Sequence, residues 1–326
     1  MDWNPMTHPY PGEEGSGCCH PIVGGGENLG CLLVRRVMPE ALSFSESAQV
    51  RIFADLFGIA LDNYRLRKER DREDRARRET EIAMRIQSEL LLPHKPPPSP
   101  HWEIAQFVSA RGMVAGDYQE ACYDRDGNLI MAIIDVMGKG AAAAIFALMF
   151  RTALHVRLQT DCNLESFVTS FNNTLFQWLG GDTRFITCAM AKIDAARTSI
   201  EVINAGHCPS LLFKNNELVH QWHASGPPLG IFGDSHYQSE RVPLAEIDTL
   251  LLVSDGVYEW FEEDNVWGWP QFVSFSKERL PSGPEIFWEA LQTRIREAVP
   301  NQDALDDQTL LWWSQPSAAV LEKVTI

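Results

Sequence analysis

Basic charge is what this chain lacks most. It has 28 Lys and Arg against 44 Asp and Glu, a formal net charge of −16. The deficit is concentrated: residues 1–100 carry 13 basic and 15 acidic groups, whereas residues 101–326 carry 15 and 29. The acidic second part argues against nucleic-acid binding, because phosphates need a basic footprint. Long apolar runs are also missing. None reaches the roughly 20 residues that span a bilayer, and the start MDWNPMTHPYPGEEGSG has neither the basic opening nor the apolar stretch of a secretory leader. No membrane contact and a cytoplasmic location are the expectations. The cysteines are seven (18, 19, 31, 122, 162, 188 and 208), odd in number and without paired spacing. Reduced thiols fit that pattern better than a disulfide framework does. Cys18-Cys19-His20 has no second pair at zinc-ligand spacing. Gly138-Lys139-Gly140 lacks the GxxxxGK[ST] spacing of a P-loop. No Cys–His or Ser–His–Asp set offers a covalent nucleophile; Cys188 and Cys208 lie in strand-like surroundings and read as packed thiols.

With 326 residues there is room for one large domain and a smaller one. In residues 1–64, LGCLLVRR reads as a strand, Ser43 and Ser45 offer N-caps ahead of Glu46, and residues 48–61 have helical apolar spacing. Residues 65–81 hold eight basic and six acidic side chains, a composition of good helix formers with mixed signs. Helical spacing resumes at Ile82, Ile86 and Leu90, so residues 65–92 are expected to be one helix, closed by the stiff HKPPPSP. The apolar stripe Ile52, Leu56, Ile59 and Ala60 has little domain around it, which predicts a homodimer through these helices. From 101 to 315 an α+β pattern follows. Residues 102–108 are expected as a first strand paired with residues 128–135, with Asp126-Gly127 as a turn between strands. Helices are expected at Ala141–Leu158, Leu164–Leu179 and 285–298, and strands at 185–193, 199–204, 209–213, 250–253 and 309–313. Residues 316–326 are expected as a C-terminal tail.

Four short acidic motifs run down this larger part in order: Gly116-Asp117 in VAGDYQE, Asp135 in IIDVMGKG, Asp255 in LLLVSDGVYEW, and Asp306-Asp307 in DDQTLLWW. Three of them touch an apolar run that reads as a buried strand. Carboxylates gathered at strand ends from distant parts of the chain build an all-oxygen site for a hard cation, and their mutual repulsion requires one.

The series GD, DVMGKG, NAGH, GPPLG, SDGVYE and DDQT resembles the SpoIIE/RsbU-type serine phosphatases of bacteria, a branch of the PPM (type 2C) metal-dependent phosphatases, over residues 81–313. The resemblance implies a PPM-type αββα sandwich of two antiparallel sheets and a centre of two Mn²⁺ or Mg²⁺ ions. Asp117, Asp135 and Asp255 match its catalytic acids. The metal ligands would be these three, the Val136 carbonyl, and Asp306 with Asp307 beside it, the pair being unresolved by sequence. Such enzymes activate water for attack on phosphoserine or phosphothreonine of a partner, commonly a STAS-type anti-sigma-factor antagonist. The segment before the linker resembles the C-terminal half of a GAF sensor domain. The usual GDYYD or GDFYD is GDYQE here, with Glu120 as an acid one methylene longer near the metals. His207 of NAGH reads either as a donor to phosphate or as a structural strand-end His. Glu259 reads either as a holder of metal water or as a solvent-facing acid. Gly138 and Gly140 read as a tight strand-to-helix turn, GPPLG as a rigid turn, and Arg111 as a candidate phosphate contact. A catalytically silent PPM-fold module for regulation or dimerisation is the alternative.

Overall fold

A single helix of 47 residues, α1 (Phe44–Leu90), absorbs both helical stretches read from the sequence. Between them residues 59–90 contain neither Gly nor Pro, so nothing interrupts the backbone ladder. Its start is a capping box: Ser43 Oγ accepts from Glu46 N–H at 3.3 Å, and the Glu46 carboxylate accepts from Ser43 N–H at 2.8 Å. The chain divides into two compact units, Met1–Arg78 and Glu79–Ile326. The computed structural model describes residues 16–36, 42–91, 99–109, 116–138, 140–160, 162–181, 183–259, 267–298 and 306–316. Residue 92, most of HKPPPSP, Lys139 and Arg111 lie outside the described residues.

In the first unit, β1 (Ser16–Gly24) and β2 (Glu27–Arg36) form an antiparallel hairpin. Only the second of these strands was legible in the sequence. The tip Gly25-Gly26 takes φ of 58° and 84°, the left-handed region that suits a two-residue hairpin turn. Val50, Ala54 and Gly58, four apart, form the buried face of α1. A side chain on Gly58 would meet the Val23 carbonyl oxygen at 2.0 Å, so the helix can approach the hairpin only with glycine there. The opposite side is apolar and open: Ile52, Phe53, Leu56, Phe57 and Ile59 are each more than half exposed.

The second unit is an αββα sandwich. Its strands are β3 (Glu103–Ser109), β4 (Asp117–Tyr123), β5 (Leu129–Val136), β6 (Ile186–Ile193), β7 (Ser199–Ala205), β8 (Ser210–Lys214), β9 (Glu217–Trp222), β10 (Glu240–Pro243), β11 (Thr249–Val253) and β12 (Gln308–Ser314). One antiparallel sheet has the order β10-β7-β6-β5-β4, the other β3-β12-β11-β8-β9. Helices α2 (Ala141–Leu158) and α3 (Leu164–Leu179) cover the first; α4 (Trp269–Arg279) and α5 (Pro284–Ala298) cover the second. Alternation along the strands builds all three layers. Ile130, Ala132 and Ile134 face α2 and α3, while Leu129, Met131 and Ile133 face the other sheet. Leu250 and Leu252 likewise point between the sheets, and Leu251 and Val253 point to α4 and α5.

One expected pairing is corrected. β3 does not join β5; it pairs along its whole length with β12 in the second sheet, from Glu103 opposite Ser314 to Ser109 opposite Gln308. β5 lies between β6 and β4, and Asp126-Gly127 turns between β4 and β5. Asp124 closes that turn by accepting from Asp126 and Asn128 N–H at 3.0 and 2.9 Å. Among the described residues no helix is long and apolar enough to cross a membrane.

Candidate metal centre

The register of β4 on β5 sets Asp117 directly opposite Asp135. Both lie at strand ends, and period-two alternation turns Asp117 to the side of the second sheet. There Thr309 Oγ1 donates to its Oδ2 at 2.7 Å, and the Ser254 hydroxyl also bonds the carboxylate. Burial, then the charge of Asp135, hold the Asp117 carboxyl well above the usual carboxylate range, against the pull of those two hydrogen bonds. Next to it, Gly116 N–H donates to Asp307 Oδ2 at 2.7 Å.

Asp255 begins a short 3₁₀ turn directly after β11 and Ser254. Its carboxyl is pushed up by burial and then by the charge of Asp306, with Gly256 N–H opposing. A Cβ on Gly256 would stand 2.1 Å from the Asp307 carbonyl oxygen, which is how the SDG and DDQT segments come so close. Asp306 is exposed and Asp307 buried. The charge of Asp306 acts more strongly on Asp255 than that of Asp307 does, while Asp307 accepts from Gly116 N–H beside Asp117. Glu259 is exposed, its carboxyl raised by burial and by Asp255.

The folded chain thus brings Asp117, Asp135, Asp255, Asp306 and Asp307 to one end of the sandwich. Among the described residues no three His, Cys, Asp or Glu side chains are grouped so as to hold a metal ion; Asp117 and Asp307 are turned onto Thr309 and Gly116 N–H. The donor set nevertheless fits a hard cation. Around Gly116 the Val136 and Gly138 carbonyl oxygens would lie 3.2 Å from a Cβ, and Asp135 Oδ1 3.6 Å, so a side chain at 116 would fill a cradle of oxygens. Gly138 and Gly140, with φ of 101° and 83°, make the tight turn from β5 into α2.

Glu120 is not part of this centre. It stands three residues from Asp117 and so on the opposite face of β4, fully buried under α2. There it accepts from the Tyr118 hydroxyl and pairs with Arg151 at 3.5 Å and His155 at 3.3 Å. The NAGH and GPPLG motifs are architectural and interlock. Gly206 has φ of 69°, and a Cβ on it would lie 2.5 Å from the Pro228 ring. His207 is buried with both ring nitrogens engaged, and burial holds its pKa down at about 4. Cys188 is buried. Burial also keeps Cys208 in the thiol form, with the Tyr258 hydroxyl 3.1 Å from its sulfur. Ser254 and Thr309 were missed in the sequence. The signal for Thr309 was its place two residues after Asp307 on a strand, which puts both on one face.

The family model of Stage II sporulation protein E (SpoIIE) matches residues 125–315. The phosphoserine phosphatase RsbP of Bacillus subtilis (strain 168) is 28% identical over 189 residues, 56% of this chain and 46% of that protein. The phosphoserine phosphatase RsbU of the same strain is 26% identical over 208 residues, 64% of this chain and 61% of that protein. The chain thus spans only about half the length of the curated relatives it matches. Among solved structures, the SiaA-PP2C domain of Pseudomonas aeruginosa shares the fold with a TM-score of 0.57 at 19% identity, over 76% of this chain and 98% of that one.

Proposed function

The chain belongs to the SpoIIE family and has the PPM (type 2C) fold, and from these premises we propose that it is a metal-dependent protein serine/threonine phosphatase. The observation that carries the proposal is the convergence of five aspartates from four separate segments at one end of both sheets, where burial and mutual repulsion raise Asp117 and Asp255. Asp117, Asp135 and Asp255, the Val136 carbonyl, and Asp306 and Asp307 would hold two Mn²⁺ or Mg²⁺ ions. When bound, such ions supply Lewis acidity towards phosphoryl oxygens and lower the pKa of a neighbouring water towards neutrality. The chain's own part is positional: Thr309 and Ser254 orient Asp117, and Gly116 leaves room where the oxygens converge. No side chain is needed as a nucleophile, and the Cys208 thiol, pushed up by burial, is not one.

The substrate is a phosphoserine or phosphothreonine on a small folded partner of the STAS type. An acidic enzyme without a basic footprint does not suit nucleotides or nucleic acid, and specificity comes from surface docking away from the acids. The test compares turnover, with Mn²⁺, of phosphoserine STAS proteins from the same genome, a phosphotyrosine peptide and ATP. The phosphoserine proteins are expected to be fastest. Faster hydrolysis of ATP or phosphotyrosine would sink the protein-serine reading and leave a metal-dependent phosphohydrolase.

The first unit supports a homodimer, because the open side of α1 exposes Ile52, Phe53, Leu56 and Phe57 together. Light scattering at tens of micromolar is expected to give a dimer mass for the chain and a monomer mass for Leu56→Glu. A monomeric parent chain would refute the dimer.

A further inference from the structure

We infer that His207 is a positioning residue of the acid centre: its imidazole bridges the two sheets at the point where Asp135 and Asp255 leave them. On one side the ring meets Thr187 Oγ1 through Nδ1 at 2.7 Å; on the other Nε2 meets the Val253 carbonyl oxygen at 3.0 Å. Thr187 lies in β6 directly opposite Asp135, and Val253 ends β11 two residues before Asp255. One ring therefore spans from the neighbour of one acid to the approach of the other.

The hydrogen bonds assign the tautomer. A carbonyl oxygen can only accept, so Nε2 carries the proton and Nδ1 accepts from the Thr187 hydroxyl. Burial disfavours a second proton on the ring. The ring's direction is fixed from behind. Asn204 Oδ1 accepts from His207 N–H at 2.8 Å, and Asn204 Nδ2 donates to the Cys208 carbonyl at 2.9 Å. Gly206, under Pro228, allows the left-handed turn that aims the ring between the sheets.

Two other hydrogen bonds that join the sheets here, Thr309 to Asp117 and Gly116 to Asp307, use the acids themselves. A cation would compete for those carboxylate oxygens. His207 uses no acid, so its bridge persists when the carboxylates turn to a ligand, and it sets the spacing into which they turn.

The inference rests on the metal-phosphatase reading, and the two can fail separately. Mn²⁺ binding is measured by calorimetry on the full chain and on His207→Phe, Thr187→Val and His207→Gln, with melting in EDTA as a control for folding. His207→Phe is expected to raise the Kd for Mn²⁺ at least tenfold and Thr187→Val several-fold. His207→Gln, which can still donate to one side and accept from the other, should stay near the parent. Nitrogen NMR of the parent should show the Nε2–H tautomer with no titration near pH 6.5. An Nδ1–H ring, or titration in that range, would overturn the bridge whatever the metal does. Should His207→Phe not fold, Thr187→Val decides alone. Unchanged Mn²⁺ affinity in the folded variants overturns the bridge and leaves the phosphatase reading standing; no Mn²⁺ binding by the parent overturns both.

Discussion

Asp255→Asn and Asp135→Asn are each expected to lower turnover of a phosphoserine protein by roughly two to three orders of magnitude, the scale of losing one charge-stabilising contact, while the fold survives. The two acids come from different sheets, so equal losses would locate the chemistry where the sheets meet. A second readout separates loss of chemistry from damage. In EDTA both variants should melt no lower than the parent, because each removes a like charge from a crowded site: Asp135 acts on Asp117, and Asp306 on Asp255. The pH dependence has a definite sign. Asp117 and Asp255 have folded pKa values raised above their unfolded ones. Their contribution to stability is fully present below the unfolded pKa and is lost as pH rises through the folded value. The metal-free chain should therefore be stabilised on acidification from neutral pH towards those values, and Asp255→Asn should flatten the profile. Each kcal/mol recovered moves the melting point by about 2–4 °C for a unit of this size. Near-normal turnover by Asp255→Asn in saturating Mn²⁺ would refute the assignment.

What could be read in advance follows from where the information is local. α2 and α3 have the bounds expected for them, because an unbroken apolar helix and an Asn163-capped amphipathic one state their own limits. The strands β5, β11 and β12 announced themselves as apolar runs abutting an Asp. β9 did not, since its alternating exposure marks an edge strand with little apolar content. α4 did not either: WPQFVSF carries a Pro in the first turn and aromatics that suit strand as well as helix. The pairing of β3 with β12 joins residues some two hundred positions apart, and periodicity holds no information about partners. For the candidate centre, the four Asp motifs pointed to acids that the folded chain brings near one another. Their supports did not stand out, because Ser254, Thr309 and Thr187 are ordinary strand residues until the second sheet is in place.

Glu120 is the residue on which motif and geometry disagree, and its replacement gives the sharpest contrast. Read as part of GDYQE, it belongs beside the metal; on β4 its side chain points away from Asp117, into the layer beneath α2. There it has no exposure at all and is held by Tyr118, Arg151 and His155. Removing one partner of a buried charge pair strands the other, at a cost of about 3–5 kcal/mol. Glu120→Ala is therefore expected to lower the melting point by about 10 °C, taking 2–4 °C for each kcal/mol. Its Kd for Mn²⁺ below that temperature should stay within a few-fold of the parent, because Asp117, bonded to Thr309, lies on the opposite face of β4 from this cluster. Arg151→Met should show a smaller loss of the same kind, since Tyr118 and His155 remain to the carboxylate. Had the motif reading been right, the order would reverse: Mn²⁺ affinity would collapse in Glu120→Ala and the melting point in EDTA would hold or rise, as for Asp255→Asn. Melting in EDTA and a Mn²⁺ isotherm on the same two preparations decide between the two faces of the strand.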